Sequence, residues 1–107
     1  MSFTIPTRVG IESVRISRYT GLGSLSLTVR FTANTKEARV TVRLRLGSRT
    51  VWSKTETDVF VLVGETSSAY FSWYSHGRIR EGTRLRLEVT VAADGAQASA
   101  ARKVRAP

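Results

Sequence analysis

Leu85, Leu87, Val89 and Val91 alternate with Arg84, Arg86, Glu88 and Thr90. This is the period-two signature of a strand with one dry face and one wet face. The stretch runs into Asp94-Gly95, two residues that tolerate the positive φ angles of a type I′ turn, so the chain is expected to reverse there and pair antiparallel with Ala96 to Val104. Upstream the same pattern recurs. Val40, Val42, Leu44 and Leu46 alternate with Arg39, Thr41, Arg43 and Arg45, and Leu25, Leu27, Val29 and Phe31 alternate with Ser26, Thr28 and Arg30.

Turn chemistry separates these runs. Thr20 to Ser24 carries two glycines, Asn34 to Glu37 is polar, and Gly47-Ser48 fits a type II′ hairpin turn leading into Thr50 to Thr57. In the first run, Val9 to Arg18, Val9 and Ile11 take one parity and Val14 and Ile16 the other. That change implies a bulge or a switch of sheet near Glu12 and Ser13. Val59 to Val63, apolar throughout, reads as a further strand, and Ala69 to Tyr74 as an aromatic-rich one. About seven to eight short strands with turn signals every 8 to 12 residues predict an all-β, antiparallel two-sheet sandwich. Each sheet keeps one face in solvent.

A chain of 107 residues suits one domain able to bury its own core. Pro6 keeps residues 1–8 from forming a central strand, so they read as an arm preceding a single domain over 9–105. The absence of cysteine excludes a disulfide scaffold, thiolate chemistry and cysteine-based zinc sites. The segment MSFTIPTRVG lacks the layout of a signal peptide, and no apolar run approaches the roughly 20 residues that span a bilayer. The expectation is a virion or cytoplasmic location without membrane contact.

Formal charge is +9, from 17 basic against 8 acidic residues, with 14 Arg to 3 Lys. Such a balance favours polyanions or acidic protein surfaces as partners. Arg39, Arg43 and Arg45 on one strand, with Arg84, Arg86 and Arg30 on others, point outward at every second residue, about 6.6 to 6.8 Å apart along a strand. If two such strands are neighbours, the rows merge into a patch able to hold phosphates or acidic side chains.

Gly82 to Gly95, GTRLRLEVTVAADG, resembles the penultimate strand and final turn of bacterial immunoglobulin-like and fibronectin type III-like domains. Leu85 stands where that family places its corner tyrosine. The resemblance implies a β-sandwich of the kind used as scaffold, adhesin or decoration, including on bacteriophage virions, with no shared catalytic residues.

The residues offer little for catalysis. His76 is the sole histidine, in a Gly-containing loop, and reads as an exposed loop residue. There is no nucleophile elbow and no two-histidine metal pattern. Glu56 and Asp58 are spaced to share a cation but form no larger acidic cluster, and read as a solvated edge. Gly21-Leu22-Gly23 leads into a strand rather than a helix and reads as a turn. No enzyme, cofactor or metal is expected.

Val59, Phe60 and Leu62, with Tyr70 and Tyr74, put apolar or aromatic side chains on both faces of two successive strands, and Phe3 and Ile5 add an apolar arm. Such surplus suggests contact with neighbouring subunits. The function expected is therefore a non-catalytic structural or interaction module of a larger oligomeric assembly, most concretely a phage capsid decoration or minor virion protein. Two alternatives are a nucleic-acid-binding β-domain that combines the Arg rows with an aromatic platform, and a carbohydrate-binding module using Tyr70, Tyr74 and Trp52.

Overall fold

The computed structural model describes residues 6–107. Seven strands follow one another among the described residues: β1 (Val9–Tyr19), β2 (Ser24–Ala33), β3 (Glu37–Leu46), β4 (Arg49–Phe60), β5 (Thr66–Tyr74), β6 (Arg84–Ala93) and β7 (Ala96–Arg105). A single 3₁₀ turn, Thr20–Leu22, joins β1 to β2. No α-helix occurs among the described residues, and no helix is long and apolar enough to cross a membrane.

The strands form two antiparallel sheets, one ordered β1-β2-β5 and the other β4-β3-β6-β7. The chain therefore crosses between sheets after β2, after β4 and after β5, which gives an immunoglobulin-like sandwich. The alternating residues dictate this packing. Leu25, Leu27, Val29 and Phe31 of β2 meet Val40, Val42 and Leu44 of β3 and Leu87, Val89 and Val91 of β6 in one interior, each essentially solvent-free. Full burial of each such side chain contributes about 1.5 to 3 kcal/mol, so these strands supply most of the drive to fold.

Local details follow the sequence closely. The register of β1 against β2 slips between Ile11 and Ser13, which turns Val14 and Ile16 back to the core on the new parity. Asp94 and Gly95 hold φ of 44° and 84°, the pair of left-handed residues a type I′ turn requires. Gly47 is left-handed and Ser48 is not, as in a type II′ turn.

The stretch at Val59 to Val63 departs from expectation. It is not an eighth strand: β4 runs unbroken from Arg49 to Phe60, and 61–65 connect it to β5. Asp58 adopts φ 56°, and the β3–β4 register slips between Ala38 and Val40. That bulge resets the parity, so Val59 packs on the core and Phe60 points to solvent. Val61 is then drawn into the interior, with its N–H donating to the Lys36 carbonyl at 3.1 Å.

The corner before β6 is pinned without a tyrosine. Leu85 is buried in the core. The Thr83 hydroxyl donates to the Arg80 carbonyl at 2.6 Å, and the backbone N–H groups of Gly82 and Ala106 reach the carbonyls of Ala106 and Thr83. Ala106 is fully buried and accepts from Arg18 Nε at 3.1 Å, so chain packing continues beyond β7. At the opposite end Asn34 brackets the start of the described chain, its amide donating to Pro6 O at 2.9 Å and its oxygen accepting from Arg8 N at 2.8 Å. Phe3 and Ile5 lie outside the described residues.

Candidate interaction surfaces

A two-layer sandwich leaves two sheet faces in solvent, and here they differ in chemistry. On the four-stranded sheet, register places Thr55, Thr41, Thr90 and Ser99 in one row across all four strands. Thr41 and Thr55 are hydrogen-bonded through their hydroxyls at 3.0 Å, as are Thr90 and Ser99 at 3.3 Å. Two residues along, Arg43 stands opposite Glu88, and two further Arg45, Arg86 and Lys103 line up. Arg84 and Arg105 pair beyond them.

Cations thus gather at one end of this face. Arg45, Arg84, Arg86, Lys103 and Arg105, with Gly47, Leu85 and Val104, line an open groove of about 650 Å³ into which no acid projects. Glu88 sits at its rim, 3.7 Å from Arg45 and 3.8 Å from Arg86. At these distances it tempers the field rather than closing the groove, since exposed ion pairs contribute at most about 1 kcal/mol. Backbone carbonyls orient two of the guanidinium groups: Arg45 donates to Ser48 O at 2.8 Å and Arg105 to Gly82 O at 3.1 Å.

The expected Arg rows therefore converge in part. Arg43, Arg45, Arg84 and Arg86 share the patch because β3 and β6 are neighbours. Arg39 is opposite Ala92, at the far end of β3, and Arg30 lies on the other sheet. Lys103 and Arg105 join the patch without a signal in the sequence. Their strand, AQASAARKVR, lacks the apolar alternation that made other outward rows visible.

The outward face of β1-β2-β5 carries tyrosine, serine and threonine, with Arg15 and Arg30 among them. Tyr19, Ser24 and Tyr74 form one cross-strand row, Ser17, Ser26 and Ser72 the next, and Arg15, Thr28 and Tyr70 the third. Tyr70 and Tyr74 are 72% and 55% exposed, so their rings stand above a floor of small side chains. Tyr19 completes this face and was also missed, because it lies at the turn end of a strand whose parity had changed. Trp52 is not part of it: its half-buried ring packs on Trp73 at 6.5 Å between centroids, toward the core and away from the tyrosine rows.

A third feature lies at the end of the sandwich where β4 passes to β5. Phe60 is 75% exposed, and Leu62 and Val63 follow it into solvent. Val59, grouped with them from sequence, is half-buried against the core.

The residues that sequence offered for chemistry lie apart among the described residues. His76 is exposed, in a left-handed conformation, with its ring 6.2 Å from that of Tyr74. Glu56 pairs with Lys54 at 3.4 Å, and among the described residues no three His, Cys, Asp or Glu side chains group as metal ligands.

No family model and no curated protein matches the sequence. The fold does have solved counterparts. Two structures of β-glucuronidase from Parabacteroides merdae, one with glycerol in its active site, superpose on 91% of this chain with TM-scores of 0.59 and 0.61 at 18% and 17% identity. The chain spans only 14% and 13% of those proteins. The likeness establishes the β-sandwich fold.

Proposed function

We propose that this chain is a non-catalytic interaction module that docks within a larger assembly. The observation that carries the proposal is the exposed apolar group Phe60, Leu62 and Val63, which stays in solvent while the alternating residues of the strands fill a buried core. Large apolar side chains in solvent mark contact sites when they cluster, and aromatic residues are enriched where proteins meet. The size relation to the solved counterparts supports a modular role, since a sandwich of this extent there forms a small part of a longer polypeptide.

The most concrete form of this reading is a capsid decoration or minor virion protein, with the apolar end and the tyrosine face against neighbouring subunits. Phe60→Asp with Tyr74→Asp tests it. Both side chains are exposed, so the variant is expected to fold with stability within about 0.5 kcal/mol of the parent and to lose association with its assembly. Intact association in a folded variant would refute the docking role.

One observation favours a second reading. Tyr19, Tyr70 and Tyr74 surround a serine floor, and aromatic faces with nearby hydroxyls suit sugar rings. The fold counterparts are glucuronidases by name. A glycan held there would change tyrosine emission, and Tyr70→Ser with Tyr74→Ser would abolish that signal.

A further inference from the structure

We propose that the basic groove on the four-stranded sheet binds the phosphate backbone of a nucleic-acid duplex without reading its sequence. The inference is independent of the docking role above, because it rests on the end of the sandwich away from Phe60, Leu62 and Val63 and on the sheet away from the tyrosines. Five cationic side chains from three adjacent strands converge on one open groove. With neighbouring strands about 4.8 Å apart and alternate residues about 6.8 Å apart, they form a dense two-dimensional array. Its complement is a ladder of closely spaced anions, and a duplex presents one negative charge per about 1.7 Å of its axis.

The composition of the face selects among nucleic acids. Its outward residues on β3, β6 and β7 are Arg, Lys, Glu, Thr, Ser, Ala and Gln, with no aromatic ring. Single-strand binders rely on base stacking against aromatic side chains, and here the exposed tyrosines are on the opposite sheet. The Arg rows of β3 and β6 therefore lie on the face opposite the tyrosines, which share theirs with Arg15 and Arg30. What the face does offer is guanidinium groups beside the Thr90 and Ser99 hydroxyls. Both groups donate to phosphate oxygens, which fix position and carry no sequence information.

Arginine suits this task because its planar fork pairs with two oxygens at once. The carbonyl contacts of Arg45 and Arg105 hold their side chains over the groove before any ligand arrives. Five cations at strand and alternate-residue spacing match the closely spaced phosphates of a duplex, and charge complementarity therefore favours the polyelectrolyte.

The test is fluorescence anisotropy of a labelled duplex of about 20 base pairs titrated with the full chain at several salt concentrations. Engagement of five phosphates gives a slope of log K against log salt of about −4.5, and a loss of affinity of about 500-fold between about 50 and 200 mM salt. Arg86→Ala with Lys103→Ala should weaken binding and reduce the slope by about 2. Arg30→Ala, which removes an exposed arginine from the other sheet, should change neither. Duplexes of different sequence should bind alike, and a single strand of equal length more weakly.

Thermal unfolding of each variant verifies that the fold persists. The proposal is overturned if Arg30→Ala costs as much as the groove variant. It is equally overturned if a single strand or poly-glutamate binds more tightly than the duplex, or if no salt-dependent binding is found.

Discussion

The outer faces of the two sheets rest on a common interior yet carry opposite chemistry. One presents Arg45, Arg86 and Lys103 in a row over three strands, and the other presents Tyr19 and Tyr74 on either side of Ser24. Inward positions are constrained by packing and all resemble one another, whereas outward positions are free to diverge. The difference between the faces is therefore where the chain's specific chemistry resides. The first face concentrates positive charge, and the second sets exposed tyrosine rings over small hydroxyl side chains.

The largest expected effect comes from the interior that both faces share. Phe31 is fully buried on β2, and Phe31→Ala should lower unfolding free energy in urea by about 3 to 5 kcal/mol. Loss should be global: if hydrogen exchange showed only the β1-β2-β5 sheet loosened, the faces would not belong to one cooperative unit.

Next in size is the corner beneath the basic end. Thr83→Val removes the hydroxyl bond to Arg80 O and should cost about 1 kcal/mol, with Thr83→Ser restoring it. Because Arg105 is anchored on neighbouring Gly82, the change should also weaken anion binding and leave the tyrosine face unaltered.

Glu88→Gln sharpens the contrast further. It releases Arg45 and Arg86 from a shared carboxylate at a stability cost below about 1 kcal/mol. Duplex affinity at low salt should rise several-fold, and a fall would mean that Glu88 organises the groove. Smallest is Tyr70→Ser: with the ring 72% exposed, stability should move by no more than about 0.5 kcal/mol. A larger loss would show that the tyrosine face is packed against something in the isolated chain.

Much of the sandwich was legible because alternation is a local signal. The strands at Leu25 to Phe31, Arg39 to Leu46 and Arg84 to Ala93, the bulge near Glu12 and both hairpin turns could be read residue by residue. The continuity of β4 could not. It depends on a left-handed Asp58 and a register slip against β3, which only pairing reveals. The surfaces were legible in part for a related reason. Outward direction follows from parity, but neighbourhood follows from sheet order. Sheet order joined Lys103 and Arg105 to the Arg rows, moved Arg30 away from them, and turned Trp52 toward Trp73.

The most direct measurement is sedimentation of the protein from its native source in physiological salt, with and without nuclease. A module that docks within a larger assembly should travel with large particles that survive nuclease. Sedimentation as an 11.8 kDa monomer in both conditions would contradict that role.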